Sequence, residues 1–187
     1  MTSLVRLRAR DAKSEETREA LTAVGERIDT LRLVHEQLYV AGTADRLRLR
    51  PFIMQLVENL CHLHEAQSGK VRLDFAIEET ELPPDVAVPL GFILNEFVTN
   101  SLKYAFDGRG GVIAVTVERR EGHGGLRMRL CDTGKGLPQG HDATVGLGSR
   151  TGMRLIDAFS RQIGAKPVWS SQQPTGTALC LEFARSR

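Results

Sequence analysis

The stretch LGFILNEFVTNSLKYAF, residues 90–106, is helical in its spacing and mixed in its chemistry. Leu90, Ile93, Leu94, Phe97 and Val98 recur at three- and four-residue steps, so they share one side of a helix and anchor it to a sheet. Glu96, Asn100 and Lys103 stand at i, i+4 and i+7 and form a second stripe, with Asn95 beside it. Taken alone, such a stripe is most often a solvated face. It also joins hard oxygen donors to an amine, the set that Mg²⁺ shares with phosphates.

The flanks carry alternating strand patterns. Upstream, VRLDFAIE alternates with period two, and Pro51 opens a helix running to about Ala66 after the short strand-like RLRLR. Downstream, GVIAVTVERR and LRMRLCD form a predicted hairpin around EGHGG. A glycine-rich loop, a helix over residues 152–163 and two strands, KPVWSS and TALCLEFA, end the chain. This order predicts an α+β fold, an α/β sandwich with helices on one face of a mixed sheet. The first 41 residues read as helix throughout, a helical hairpin. Leu21, Val24, Ile28, Leu31, His35 and Leu38 keep an a/d spacing that suits a hairpin or dimer seam. AGTADR, residues 41–46, breaks the pattern, so the chain divides into 1–42 and 45–187.

Composition sets the outer limits. The 187 residues are 41% apolar and 26% charged, ordinary for a soluble domain. A net charge of +2 implies no general affinity for nucleic acid. Residues 51–100 hold 2 basic and 8 acidic side chains and residues 101–187 hold 13 and 7, a bias that suits an anionic ligand in the second half, an ordinary solvated surface being the plainer reading. No apolar run approaches the ~18 residues of a membrane span. No secretory signal is visible. Cys61, Cys131 and Cys180 are scattered and lack metal-ligand spacing, which reads as a reduced cytoplasmic protein. CHLH, residues 61–64, has no clustered partner ligands for a metal.

Three further motifs bear on chemistry. In CDTGKG, Asp132 ends a strand before Gly134 and Gly136. An acid there can accept a hydrogen bond from a purine amino group while the glycines admit a flat ring, and an Asp-Gly turn is the plainer reading. A second DTG, which an aspartic protease would require, is absent. VGLGSRTGMRL places Gly146, Gly148 and Gly152 around a helix start, where amides bind phosphate, though no Walker Lys-Ser/Thr follows. PTGTALCLEF brings Gly-Thr into the last strand.

In this order the motifs resemble the ATP-binding domain of histidine kinases, the Bergerat fold shared with gyrase, over about residues 45–185. RIDTLRLVHEQLY followed by LRPFIMQLVENL is similar to the second dimerisation helix of the HisKA_2 class and its junction with the ATPase domain. The resemblance implies ATP and Mg²⁺ as cofactors and transfer of the γ-phosphate to a histidine, then to a response-regulator receiver domain. It implies that Asn100 ligates Mg²⁺, that Glu96 and Asn95 belong to the same box, that Lys103 faces phosphate, and that Tyr104 lies near the nucleotide. Asp132 would bind the adenine amine over Gly134 and Gly136, Gly152 would head the phosphate helix, and Thr177 would close the pocket. It further implies a homodimer through the N-terminal helices.

Two departures stand out. Arg150 occupies the position of the family's first glycine before GMRLI, with Gly146 and Gly148 just upstream. The acceptor motif His-Arg-x-Lys-Asn-Asn-Leu-Gln is not found, and none of His35, His62, His64, His123 or His141 replaces it, so no phosphoacceptor is assigned. Two alternatives therefore stand beside the kinase: a related ATPase or anti-sigma-type serine kinase, and a non-catalytic kinase-like scaffold.

Overall fold

The computed structural model describes residues 7–9, 11, 12, 14–40, 46–68, 70–120, 124–136 and 150–185. Helix α1 spans Glu15–Val40. Ser14 caps it: its Oγ accepts from the Thr17 amide at 3.1 Å, which supplies one of the orphan donors of the first turn. The polar stretch before α1 is thus a boundary between helical segments. A two-residue strand β1 (Leu47–Arg48) runs into α2 (Leu49–Ser68). Then come β2 (Val71–Ile77), β3 (Glu81–Leu82) and α3 (Pro84–Asn100). The chain continues through a π-helical turn, Ser101–Ala105, into β4 (Gly111–Arg119) and β5 (Gly125–Asp132). Helix α4 (Arg150–Gln162) and strands β6 (Val168–Ser171) and β7 (Thr177–Ala184) complete the described elements.

The main sheet has five strands in the order β2-β4-β5-β7-β6. β2 and β4 are parallel and the other pairings antiparallel, so the sheet is mixed, as expected. β1 and β3 pair separately, Leu47 opposite Leu82 and Arg48 opposite Glu81. β3 is too short to leave a sequence pattern.

Period-two alternation decides which side chains enter the core. Ile113, Val115 and Val117 of β4, Leu126, Met128 and Leu130 of β5, and Leu179, Leu181 and Phe183 of β7 are buried. On α3 the predicted anchors Leu90, Ile93, Leu94, Phe97 and Val98 are all buried. α2 contributes Phe52, Ile53, Leu56, Val57 and Leu60 to the same cluster. The opposite face of the sheet is charged: Arg127 donates to Glu182 Oε1 at 2.8 Å and to Glu118 Oε1 at 3.2 Å.

The a/d stripe of α1 does not face this core. Val24 and Leu31 are exposed and Leu21 and Ile28 half-buried, whereas Thr30 and Leu33 are buried. α1 therefore packs through the neighbouring face, because α2 and α3 offer it an apolar groove there. The side chains of His35 and Leu38 lie outside the described residues.

Candidate functional site

Parity places Asp132 on the buried face of β5, opposite Ile113 in the register. Its residue exposure is 2%, an unusual setting for a carboxylate with no ion pair among the described residues. Hydrogen bonds hold it. Oδ1 accepts from the Gly134 amide at 2.9 Å and the Thr177 amide at 3.3 Å. Oδ2 lies 3.1 Å from Ser101 Oγ, which is also 3.0 Å from the Phe97 carbonyl. Burial pushes the carboxyl above the ordinary aspartate range, and the bonds from Gly134, Ser101 and Thr177 pull it back only in part.

A small cleft opens beside it, lined by Phe97, Asn100, Ser101, Ala105, Asp132, Trp169 and Thr177. Thr177 Oγ1 is buried there without a hydrogen-bond partner among the described residues. The Trp169 ring stacks with Phe97 at 6.2 Å between centroids. An acceptor carboxylate, an unmatched hydroxyl and aromatic walls suit a flat heterocycle carrying an amino group.

The glycines also serve the packing of the strand ends. A Cβ on Gly134 would lie 2.4 Å from Ala105 Cβ and 2.6 Å from the Ala105 carbonyl oxygen. Gly134 thus lets the end of β5 touch the π turn, where the Lys135 amide donates to the Ala105 carbonyl at 3.1 Å. Gly176, at φ +128°, approaches the Asp132 carbonyl so closely that a Cβ would sit 2.0 Å from its oxygen. Close approach within the fold, to Ala105 at Gly134 and to the Asp132 carbonyl at Gly176, requires both. Gly136 has φ +78°, the left-handed region that favours glycine.

At the other end of the cleft, α3 meets α4. Among the described residues α4 runs Arg150–Gln162 and includes Gly152, which is buried near its N-terminal end. A Cβ on Gly152 would be 3.1 Å from Glu96 Oε2 and 3.3 Å from Asn100 Nδ2. Glu96 and Asn100 therefore converge on the amide end of α4, where anions are favoured. Lys103 and Tyr104 follow on the π turn, Lys103 half-buried and Tyr104 exposed. The widened turn takes Lys103 off the regular i+7 stripe predicted with Glu96 and Asn100. Asn95 is not in the cleft. It is buried against α1, its Nδ2 donating to Thr30 Oγ1 at 3.3 Å. Gly146 and Gly148 lie outside the described residues. Ser101 and Trp169 join the site without having been singled out in the sequence: Ser101 through its bond to Asp132, Trp169 from the edge strand β6.

Against known proteins, residues 1–64 match a family model described as histidine kinase. Residues 85–187, more than half of the chain, match the histidine kinase-, DNA gyrase B- and HSP90-like ATPase family. The chain belongs to this family. Both matches carry the histidine kinase description, so the expected membership is borne out at each end. A blue-light-activated histidine kinase 2 of Erythrobacter litoralis is 22% identical over 88% of this chain and 47% of its own length. The sensor histidine kinase PdtaS of Mycobacterium tuberculosis is 28% identical over 74% of this chain and 27% of its own. The chain thus spans less than half the length of these relatives. Among solved structures, the histidine kinase domain of the Erythrobacter litoralis EL346 blue-light activated kinase superposes with a TM-score of 0.75 at 20% identity, covering 98% of this chain and 93% of that one. That likeness confirms the α+β fold with its mixed five-stranded sheet. No helix among the described residues is long and apolar enough to cross a membrane.

Proposed function

We propose that the chain is the ATP-binding catalytic region of a two-component sensor histidine kinase, and that it passes the γ-phosphoryl group of ATP to a histidine outside this site. The observation that carries the reading is the buried Asp132 carboxylate facing a cleft with an unmatched Thr177 hydroxyl. Asp132 accepts from the adenine amino group, and Thr177 supplies a hydroxyl beside it. The amide end of α4 takes the phosphates, with Lys103 on their flank and Gly152 allowing approach. The glycines Gly134 and Gly136 shape the edge of the base site, and Tyr104 lies at its margin.

The donor set fits Mg²⁺ shared with a triphosphate. Asn100 offers a carboxamide oxygen, the remaining positions of the ion falling to phosphate oxygens and waters, and no cluster of three or more His, Cys, Asp or Glu is found among the described residues. A bound Mg²⁺ would neutralise charge on the phosphates as the transferring group separates. The residues of this chain position the nucleotide and exclude water, and that is most of what phosphoryl transfer asks of a protein.

We further propose that residues 1–42 form the dimerisation and phosphotransfer helices and residues 45–187 the ATPase domain. The exposed Val24 and Leu31 on α1 support a homodimer through these helices. A response-regulator receiver domain is the expected final acceptor, and the cytoplasm, where ATP is held, the expected compartment.

The test is incubation with γ-labelled ATP and Mg²⁺, with and without a homologous helical hairpin carrying an acceptor histidine. Acid-labile label on the hairpin, lost in Asn100→Ala, is the expected result. ATP binding without any label transfer would overturn the kinase reading in favour of an ATPase or a scaffold.

A further inference from the structure

We infer that Arg27 of α1 is a positioning residue for the phosphate end of the nucleotide site, acting through Glu96. The inference deepens the ATP-binding function proposed above and rests on it.

The contact is built from both helices. α1 turns Arg27 and Thr30, one helical step apart, toward α3. α3 answers with Gly91, Asn95 and Glu96. Arg27 Nη2 donates to Glu96 Oε1 at 2.8 Å, and the two side chains keep 32% and 14% of their exposure. Asn95 Nδ2 donates to Thr30 Oγ1 at 3.3 Å within the buried seam. Gly91 permits the close approach, since a Cβ there would fall 2.9 Å from Thr30 Cγ2 and 2.8 Å from Phe52 Cζ.

Glu96 therefore has two environments. Oε1 is held by the guanidinium of α1. Oε2 faces the first turn of α4, 3.1 Å from where a Gly152 Cβ would sit. A polyphosphate bound at that turn meets a carboxylate of its own charge sign. Arg27 cancels that charge at close range, in a partly buried place where solvent screens weakly. Its Nε is also buried without an acceptor among the described residues, so the guanidinium retains a donor to offer.

The consequence is a linkage between helix docking and phosphate binding. With α1 docked, Glu96 is neutralised and the triphosphate is tolerated. If α1 rotates or lifts, Glu96 is bared and ATP affinity falls, while the base site around Asp132 is untouched. By reciprocity, bound ATP favours the docked position of α1. A movement of the N-terminal helix would thus be read at the phosphates.

The experiment is calorimetric titration of the full chain with adenosine, ADP and ATP in magnesium buffer. The variants are Arg27→Met, Arg27→Lys, Glu96→Gln and the Arg27→Met/Glu96→Gln double. Arg27→Met is expected to weaken ATP about tenfold or more and to leave adenosine within about twofold. Arg27→Lys retains most of the affinity, and adding Glu96→Gln to Arg27→Met restores it, because the bare carboxylate is gone. Unchanged or tighter ATP binding by Arg27→Met would refute the inference. So would equal loss of adenosine, or failure of Glu96→Gln to rescue, since either marks a merely structural role. If the unmodified chain binds neither adenosine nor ATP, it is the proposed function that fails.

Discussion

Asp132→Asn separates what the buried carboxylate does for the fold from what it does for the ligand. Asparagine has the same shape. Its Oδ1 can keep the bonds from the Gly134 and Thr177 amides, at 2.9 and 3.3 Å in the parent. Its Nδ2 then faces Ser101 Oγ, which accepts and gives its own hydrogen to the Phe97 carbonyl 3.0 Å away. Every protein hydrogen bond survives. The charge does not, and burial already penalises that charge, which is why the Asp132 carboxyl titrates above the ordinary range. An acid whose folded pKa is raised costs nothing below its unfolded pKa. Its cost accumulates as pH climbs to the folded pKa and stays in full above that. Asp132→Asn should therefore be as stable as the parent or slightly more so at pH 7 to 8, with the difference vanishing below about pH 4. Ligand binding runs the other way, because a donor now opposes the amino group of the base. Losing a hydrogen bond to a charged acceptor costs about 1.5–3 kcal/mol, so ATP should bind about 10- to 150-fold more weakly. Urea denaturation at two pH values and calorimetric ATP titration read both quantities. A variant destabilised by more than about 2 kcal/mol at pH 7, or one that binds ATP like the parent, would refute the reasoning.

Gly134→Ala should cost about 1–3 kcal/mol of stability by overpacking, because the atoms it meets on Ala105, Cβ and carbonyl at 2.4 and 2.6 Å, cannot swing aside. A urea midpoint unchanged from the parent would show that β5 and the π turn are free to part. Cys61, whose thiol burial pushes up to about 11, should be alkylated far more slowly than an ordinary thiol at pH 8 and should react at the usual rate once the chain is unfolded in urea. Mass spectrometry of a timed iodoacetamide reaction checks this, and rapid native labelling of Cys61 would contradict it.

The elements that form the core were legible because alternation and helical spacing are local. GVIAVTVERR and LRMRLCD were legible as the strands of a hairpin, and three- and four-residue steps in α3 named Leu90, Ile93, Leu94, Phe97 and Val98 as its anchors. In α1 the same spacing marked a stripe suited to a hairpin or dimer seam, not the face that meets this core. An a/d stripe says only that one face is apolar, and Val24 and Leu31 ended outside because Thr30 and Leu33 found the groove between α2 and α3. The π turn at Ser101–Ala105 and the two-residue β3 leave no periodic signal, since each is shorter than the pattern that would reveal it.

The site divides in the same way. The sequence by itself determined the residue types and their order: a polar stripe on a helix, an acid at a strand end with glycines after it, a threonine entering the last strand. These are properties of neighbours along the chain. Only the tertiary structure decided that Asp132 meets Ser101, that Glu96 reaches both α4 and Arg27, that Asn95 turns away to Thr30, and that Gly134 and Gly176 are required by backbone contact. Those pairings are separated by up to 69 positions, the Arg27–Glu96 pair being the longest. Their geometry follows from how helices stack on a twisted sheet, which no local spacing encodes.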